Sequence, residues 1–248
     1  MSKKMKKKIL IYTRREKFQI TLNKLKNKIK RESKNIFTSI QIKLFHFLPL
    51  KVRWRYTQKR YKKWSKTHLP SLYLQQICES GKKFSAFVGK PLLCLDIGCG
   101  NGLIGGMTYK EADYIYLNPS DTDTVIGIDP LPLEGPKPPG FNEYVMAICE
   151  KIPFKIAFDK VTIVTSIDHF QDPMLCLEEC ALVLKNSLFI WTTCLQKAEG
   201  DLHHPIRFTK QNLLKMLSNS GYSIINCHFF NKSIYGEEVF IEARRNNL

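Results

Sequence analysis

The first seventy residues contain almost no acid. Only Glu16 and Glu32 stand against 23 lysines and arginines, for a net charge of +21. Scarcity of one sign on that scale excludes an ordinary surface of mixed charges and makes the segment a basic arm. Residues 71–248 hold 16 basic and 20 acidic groups, a net −4, so the overall charge of +17 belongs to the arm. Long apolar runs are missing too: none approaches the roughly 18–20 residues that span a bilayer. The stretch Met1–Tyr12 begins like a secretion signal, but Arg14, Arg15 and Glu16 limit its apolar part to residues 9–12, too short for export. Paired metal ligands are also scarce. Cys176 and Cys180 lie four apart with no second Cys/His pair nearby, so no metal is expected. The other cysteines, Cys78, Cys94, Cys99, Cys149, Cys194 and Cys227, are thinly spread. A chain of 248 residues with 44% hydrophobic content builds a core without disulfides. They read as reduced thiols of a cytoplasmic protein.

What is present divides into a basic, amphipathic N-terminal extension, residues 1–68, and one domain, residues 69–248. In the extension, Phe18, Leu22, Leu25 and Ile29 recur at helical spacing among Lys24, Lys26, Lys28 and Lys30. Phe37, Ile40, Leu44 and Phe47 repeat the pattern up to Pro49. Residues 54–64 interleave Trp54, Tyr56, Tyr61 and Trp64 with cations. A helix is expected over 71–82. From about residue 90, short β-type runs alternate with helical ones. Strands are expected at 92–97, 124–129, 143–148, 160–166 and 188–194, with a closing pair at 223–230 and 238–244. Pro173 opens a helix over 173–184, and Thr209 caps another that stops at Gly221. Alternation of this kind implies an α/β fold with a mostly parallel sheet covered on both faces.

The sharpest local signal is Leu93-Cys94-Leu95-Asp96-Ile97-Gly98-Cys99-Gly100-Asn101-Gly102. An apolar strand ends in an acid, and three alternating glycines let a ligand approach the backbone. Ligands of open α/β sheets sit at such strand ends. A second strand, Val125-Ile126-Gly127-Ile128-Asp129, also ends in a carboxylate, which suits the two hydroxyls of a ribose. The dinucleotide fingerprint Gly-x-Gly-x-x-Gly fits poorly, because Leu103 follows Gly102.

With these residues, the chain over roughly 90–245 resembles the class I S-adenosylmethionine-dependent methyltransferases, of the methyltransferase type 11-like kind. Five segments match in the family's order: Leu95–Gly102, Gly127–Asp129, Glu150–Phe154, Phe158–Val161 leading into Ser166–Pro173, and Glu179–Asn186. The resemblance implies a Rossmann-like seven-stranded sheet, mostly parallel with an antiparallel edge strand, and S-adenosylmethionine as cofactor. It implies that Asp96, Gly98, Cys99 and Gly100 surround the methionine part and that Asp129 holds the ribose. Pro130, Cys149 and Glu150 then lie near the adenine, and Ser166 lies at the end of strand four beside the cofactor. Many relatives carry an acid where this chain has Ile148, which leaves adenine recognition to backbone groups or another side chain. Asp129 follows Gly102 by 27 residues, more than nucleotide folds suggest, which places an insertion around 114–123.

Methyl transfer is an in-line displacement from a sulfonium, so the protein positions the acceptor and, for a hydroxyl, removes its proton. Candidate bases are Asp168 and His169 after strand four, and His203 and His204 after strand five. The segment His204-Pro205-Ile206-Arg207-Phe208-Thr209 resembles one in methyltransferases of bacterial glycan and small-molecule biosynthesis. Arg207 is either a grip for an anionic acceptor or a simple salt bridge. The expected acceptor is a glycan, a small molecule or a lipid-linked metabolite, methylated on oxygen. The apolar stripes of residues 1–68 favour an anionic membrane surface at the inner face over RNA. An RNA methyltransferase using the basic arm and a non-catalytic cofactor-binding scaffold are the competing readings.

Overall fold

The computed structural model describes residues 48–49, 52–53, 71–100, 103–104, 107–108, 122–130, 141–195, 204, 206–233 and 236–246. The chain divides into two compact units, Met1–Leu44 and Phe45–Leu248, and every described residue belongs to the second. The amphipathic repeats of residues 18–47, the aromatic stretch 54–64 and most of the insertion around 114–123 lie outside the described residues.

Strand β1 (Leu93–Ile97) is followed by two short strands, β2 (Leu103–Ile104) and β3 (Met107–Thr108), which pair antiparallel with each other. The main sheet continues through β4 (Thr124–Asp129), β5 (Glu143–Met146), β6 (Phe158–Val164), β7 (Leu184–Cys194), β8 (Tyr222–Ser233) and β9 (Gly236–Arg245). Its seven strands run in the order β5-β4-β1-β6-β7-β9-β8. β1 pairs in parallel with both β4 and β6, and β5 and β7 extend the parallel set on either side. The mostly parallel seven-stranded sheet and its antiparallel closing hairpin are as expected. The reversed strand, β9, lies one place in from the edge, between β7 and β8. Its run Val239-Phe240-Ile241 is buried, as suits a strand covered on both faces, whereas Ser223, Asn226 and His228 give β8 the mixed character of an edge.

Three helices with defined bounds accompany the sheet among the described residues: α1 (Ser71–Val88), α2 (Pro173–Val183) and α3 (Lys210–Asn219). Each end has a local cause. Asp172 caps α2 by accepting from Leu175 N at 3.1 Å, with Pro173 in the first turn, where its missing N–H costs nothing. Thr209 caps α3 by accepting from Asn212 N at 3.2 Å, and Gly221, at φ +78°, ends it. Lys160 Nζ donates to Val88 O and Lys90 O, both at 2.6 Å, and so closes the C-terminal end of α1 against β6.

Strand alternation divides the core between the two faces. On one, Leu95, Ile97, Ile163, Leu188 and Ile190 pack with Leu177 of α2 and with Leu213 and Leu217 of α3. On the other, Val125, Phe189, Trp191 and Phe240 pack with Phe84 and Val88 of α1. Phe84 lies 5.7 Å from Trp191 and edge-on to Phe240 at 5.2 Å. Truncating a ring so placed costs about 3–5 kcal/mol. The chain runs from β1 outward to β5, then recrosses to β6 on the other side of β1. That reversal opens a crevice at the C-terminal ends of β1, β4 and β6, where open α/β sheets take their ligands. Among the described residues no helix is long and apolar enough to cross a membrane.

Candidate active site

One half of the crevice is built from backbone and two carboxylates. After β1 the chain turns through Gly98 and Gly100, at φ +69° and +65°, a region that side chains rarely enter. The amides of Gly98 and Cys99 donate to Ile128 O at 2.8 and 3.2 Å, which pins the turn to the end of β4. A Cβ on Gly98 would stand 2.6 Å from Ser166 Cβ and Oγ, so this turn and the segment after β6 meet only because glycine is there. Among the described residues, nothing lies within 4 Å of the place where a Cβ on Gly100 would stand. Gly100 N donates to Asp129 Oδ2 at 2.9 Å. Asp96 is fully buried, and its Oδ1 accepts from Thr162 Oγ1 at 2.6 Å. The Cys99 thiol packs against the α-carbon of Gly127. Burial, with Asp96 and Asp129 nearby, raises its pKa well above the ordinary value, so it stays a neutral thiol.

These residues fit S-adenosylmethionine. The open space at Gly100 admits a ligand against the main chain. Asp129 sits at a strand end with its carboxylate anchored by the Gly100 amide. Pro130 follows it, half-buried.

Ser166 begins the other half. Thr165 precedes it at φ +50°, an outlier for a β-branched residue of the kind that costs about 1–3 kcal/mol and gathers at functional sites. Its amide still reaches Trp191 O at 2.7 Å. The bend delivers Ser166 Oγ to Ile97 O at 2.9 Å and starts a single 3-10 turn, Ile167–His169. Asp168 and His169 project from that turn. His204 and Arg207 arrive from after β7, because Leu195 N donates to Phe208 O at 2.8 Å and draws residues 206–208 alongside the strand end. Arg207 Nη1 lies 3.4 Å from Asp168 Oδ2, and Arg207 Nη2 donates to His204 Nδ1 at 2.7 Å. The His169 and His204 rings lie 4.5 Å apart at 33°. His169 Nε2 is 3.9 Å from Asp168 Oδ1. Donor atoms of Asp168, His169 and His204 all lie within 4.8 Å of one another. The guanidinium of Arg207 lies against both Asp168 and His204.

The structure thus gathers Asp96, Gly98, Cys99, Gly100, Asp129 and Ser166 at one set of strand ends, and Asp168, His169 and His204 in a cluster reached from Ser166. His203 lies outside the described residues. Cys149 is buried in the core beside the Cys176 thiol, and burial pushes its pKa up to about 12. Glu150 is buried too. Its Oε1 accepts from Gln171 N at 2.9 Å and Asp172 N at 3.1 Å, bracing the turn that follows His169. Arg53 Nη1 holds the same turn from outside by donating to Gln171 O at 2.7 Å. Sequence reading passed over Thr162, the partner of Asp96. A hydroxyl inside the apolar run Val161–Val164 was the available signal. It left Arg207 open between anion grip and salt bridge, and the structure shows the bond to Asp168 and a second to His204.

Residues 95–190 match the family model described as a methyltransferase domain. A comparison with curated proteins found no match. Among solved structures, a putative methyltransferase from Bacillus halodurans is 18% identical with a TM-score of 0.50, over 68% of this chain and 100% of that one. Magnesium protoporphyrin IX methyltransferase from Synechocystis, bound to S-adenosylhomocysteine, is 14% identical with a TM-score of 0.50, over 79% and 98%. A complex of the Haloferax volcanii Trm112 methyltransferase activator with a putative methyltransferase matches at 12% identity and a TM-score of 0.52, over 77% and 99%. At these identities the structures speak for the fold, and the family match speaks for the domain. Residues 95–190 are similar to a methyltransferase domain, and the fold is similar to that of the solved methyltransferases.

Proposed function

We propose that the chain is an S-adenosylmethionine-dependent methyltransferase that acts on an oxygen of a small-molecule, glycan or lipid-linked acceptor. The observation that carries the reading is the cluster of Asp168, His169 and His204 beside Ser166. The bound cofactor supplies a methyl group on a sulfonium, already a good leaving group. A hydroxyl acceptor must still lose a proton as it attacks, and a carboxylate with two imidazoles beside the cofactor crevice suits that task. When the cofactor is bound, Asp129 would hold the ribose hydroxyls, and the backbone at Gly100 would hold the methionine part. Ser166, bonded to Ile97 O, keeps the cofactor turn and the acceptor-side turn in contact, which fixes the distance between the two reactants.

The domain charge of −4 over residues 71–248 supplies no broad basic track for a nucleic acid. The arm, with apolar stripes among its lysines, instead suits an anionic membrane surface, which puts the enzyme at the cytoplasmic face of a membrane. Labelled S-adenosylmethionine added with the full-length protein to a cell extract tests the acceptor class. Label in the lipid or glycan fraction, or in small metabolites, is the expected result. Label in RNA hands the assignment to an RNA methyltransferase, and no label in any fraction favours a cofactor-binding scaffold. Flotation of the full-length protein with phosphatidylglycerol vesicles tests the arm. Replacing Lys24, Lys26, Lys28 and Lys30 with Gln should weaken that binding. Undiminished flotation of the variant would remove the arm's lysines from the account.

A further inference from the structure

The turn that carries Asp168 and His169 runs into a peptide unit held at both of its polar atoms. Between Gln171 and Asp172, the carbonyl accepts from Arg53 Nη1 at 2.7 Å and the amide donates to Glu150 Oε1 at 3.1 Å. The cation meets the negative end of the peptide dipole and the carboxylate meets its positive end, so both bonds are charge-assisted. A peptide unit is planar, and holding both ends fixes its plane. The same Glu150 oxygen takes Gln171 N at 2.9 Å, and Gln171 Nε2 donates back to His169 O at 3.4 Å. Gln171 is buried. On one side of this peptide stands the 3-10 turn with Asp168 and His169. On the other, Asp172 caps α2, whose Cys176 and Leu177 lie in the core. The clamp thus ties the side chains of the cluster to a helix rooted in the core. Its two arms come from far apart in the chain. Glu150 stands 22 positions before Asp172, and Arg53 stands 118 positions before Gln171. By sequence, Arg53 belongs to the basic extension. Pro49 O accepts from Val52 N at 2.8 Å and from Arg53 N at 3.1 Å, which starts a helical turn there. Arg53 also falls within the compact unit that holds the sheet, which begins at Phe45.

We propose that Arg53 is a positioning residue of the acceptor site. It fixes the Gln171–Asp172 peptide, and through that peptide the place of Asp168 and His169 relative to the turn at Gly98 and Gly100. This rests on the reading of the crevice as a methyltransferase site. The share of Arg53 is orientation, not chemistry. Orientation matters to rate: misplacing a reacting group by about 1 Å can cost about 100-fold. One cation of the basic extension therefore works for the site, while the others remain available to a surface.

Hydrogen exchange reads the clamp with no acceptor present, which separates this proposal from the assignment of the reaction. Full-length protein and its Arg53→Met variant are compared by NMR, amide by amide. The amides of Gln171 and Asp172 should exchange about 10-fold faster in the variant, the size of a lost charge-assisted hydrogen bond, while those of β1 and β4 keep their rates. Arg53→Lys, which restores a cation, should recover most of the difference. Affinity for S-adenosylhomocysteine by calorimetry should stay within about threefold, and transfer of label into the extract should fall about 10- to 100-fold. Where Arg53→Met does not fold, the milder Arg53→Gln serves, with about threefold faster exchange at the same two amides. Unchanged exchange at Gln171 and Asp172 in a folded variant overturns the proposal. So does faster exchange spread evenly over β1 and β4, which marks a general loss of stability, and so does full label transfer by a variant whose two amides have loosened. A parent protein that transfers no label, while the two amides respond as expected, overturns the reaction and leaves the clamp standing.

Discussion

The two halves of the crevice are made in different ways. The half proposed for the cofactor is a backbone device: a turn with two left-handed glycines, pinned by Ile128 O and tied to Asp129 by the Gly100 amide. The half proposed for the acceptor is a side-chain device, assembled from a strained turn after β6 and a segment that returns along the end of β7. A backbone device can serve any acceptor chemistry. A side-chain device sets which acceptor can react. Changes in one half should therefore move affinity for the cofactor, and changes in the other should move rate.

The sharpest way to break that contrast is His169→Gln. Loss of a general base lowers the rate by about 10²–10⁴-fold, measured as label transferred from S-adenosylmethionine, while cofactor affinity by calorimetry stays within about threefold. A parallel fall in affinity would dissolve the distinction. Next comes Gly98→Ala. It places a Cβ 2.6 Å from Ser166 at a positive φ, and strain with overpacking should cost about 2–4 kcal/mol in denaturant unfolding. Ser166→Gly in the same background, which removes the clashing atoms, should recover part of the loss. Asp129→Ala follows, with cofactor binding weakened about 10- to 100-fold, the size of a lost hydrogen bond to a charged group. Its melting temperature should change little.

The smallest effect is expected at Glu238 of β9, whose carboxylate accepts from Ser80 of α1. Burial raises its pKa, against the lowering effect of the Ser80 hydroxyl that bonds it at 2.6 Å. A carboxyl raised in the folded state binds its proton more tightly there than in the unfolded chain. Its contribution thus falls as pH rises from about 4.5 through the raised value. Glu238→Gln should flatten that decline and shift stability by no more than about 1 kcal/mol at neutral pH. Neither cofactor affinity nor rate should follow.

The same contrast explains what was legible in the sequence. Backbone devices announce themselves locally. The expected strand at 124–129 agrees with β4 to the residue, and Pro173, Thr209 and Gly221 mark helix ends where they were expected. The glycines of 98–100 and the carboxylates of Asp96 and Asp129 stood out by spacing alone. Strand β7 begins four residues earlier than its apolar run, at Leu184 rather than Leu188. Pairing of Leu184 with Phe158 depends on ladder hydrogen bonds that polar residues such as Lys185 and Asn186 also make. The position of β9 inside the edge follows from which strands pair, information that no single strand carries. The meeting of His169 with His204, 35 positions apart, depends on the bridge between Cys194 and Phe208, for which the sequence has no local mark. The two bonds of Arg207 follow from that bridge and share its illegibility.

The distribution of the thiols gives the molecule a built-in clock. Cys78 and Cys227 are partly exposed, while Cys94, Cys99, Cys149, Cys176, Cys180 and Cys194 are buried. A buried neutral thiol reacts with an alkylating probe only when its surroundings open, so each labelling rate reports a local opening free energy. Cys99 belongs to the cofactor turn, and Cys149 lies next to Glu150, which braces the acceptor-side turn. Mass spectrometry of timed labelling would therefore time the breathing of each half separately, in the native chain and without a single engineered residue.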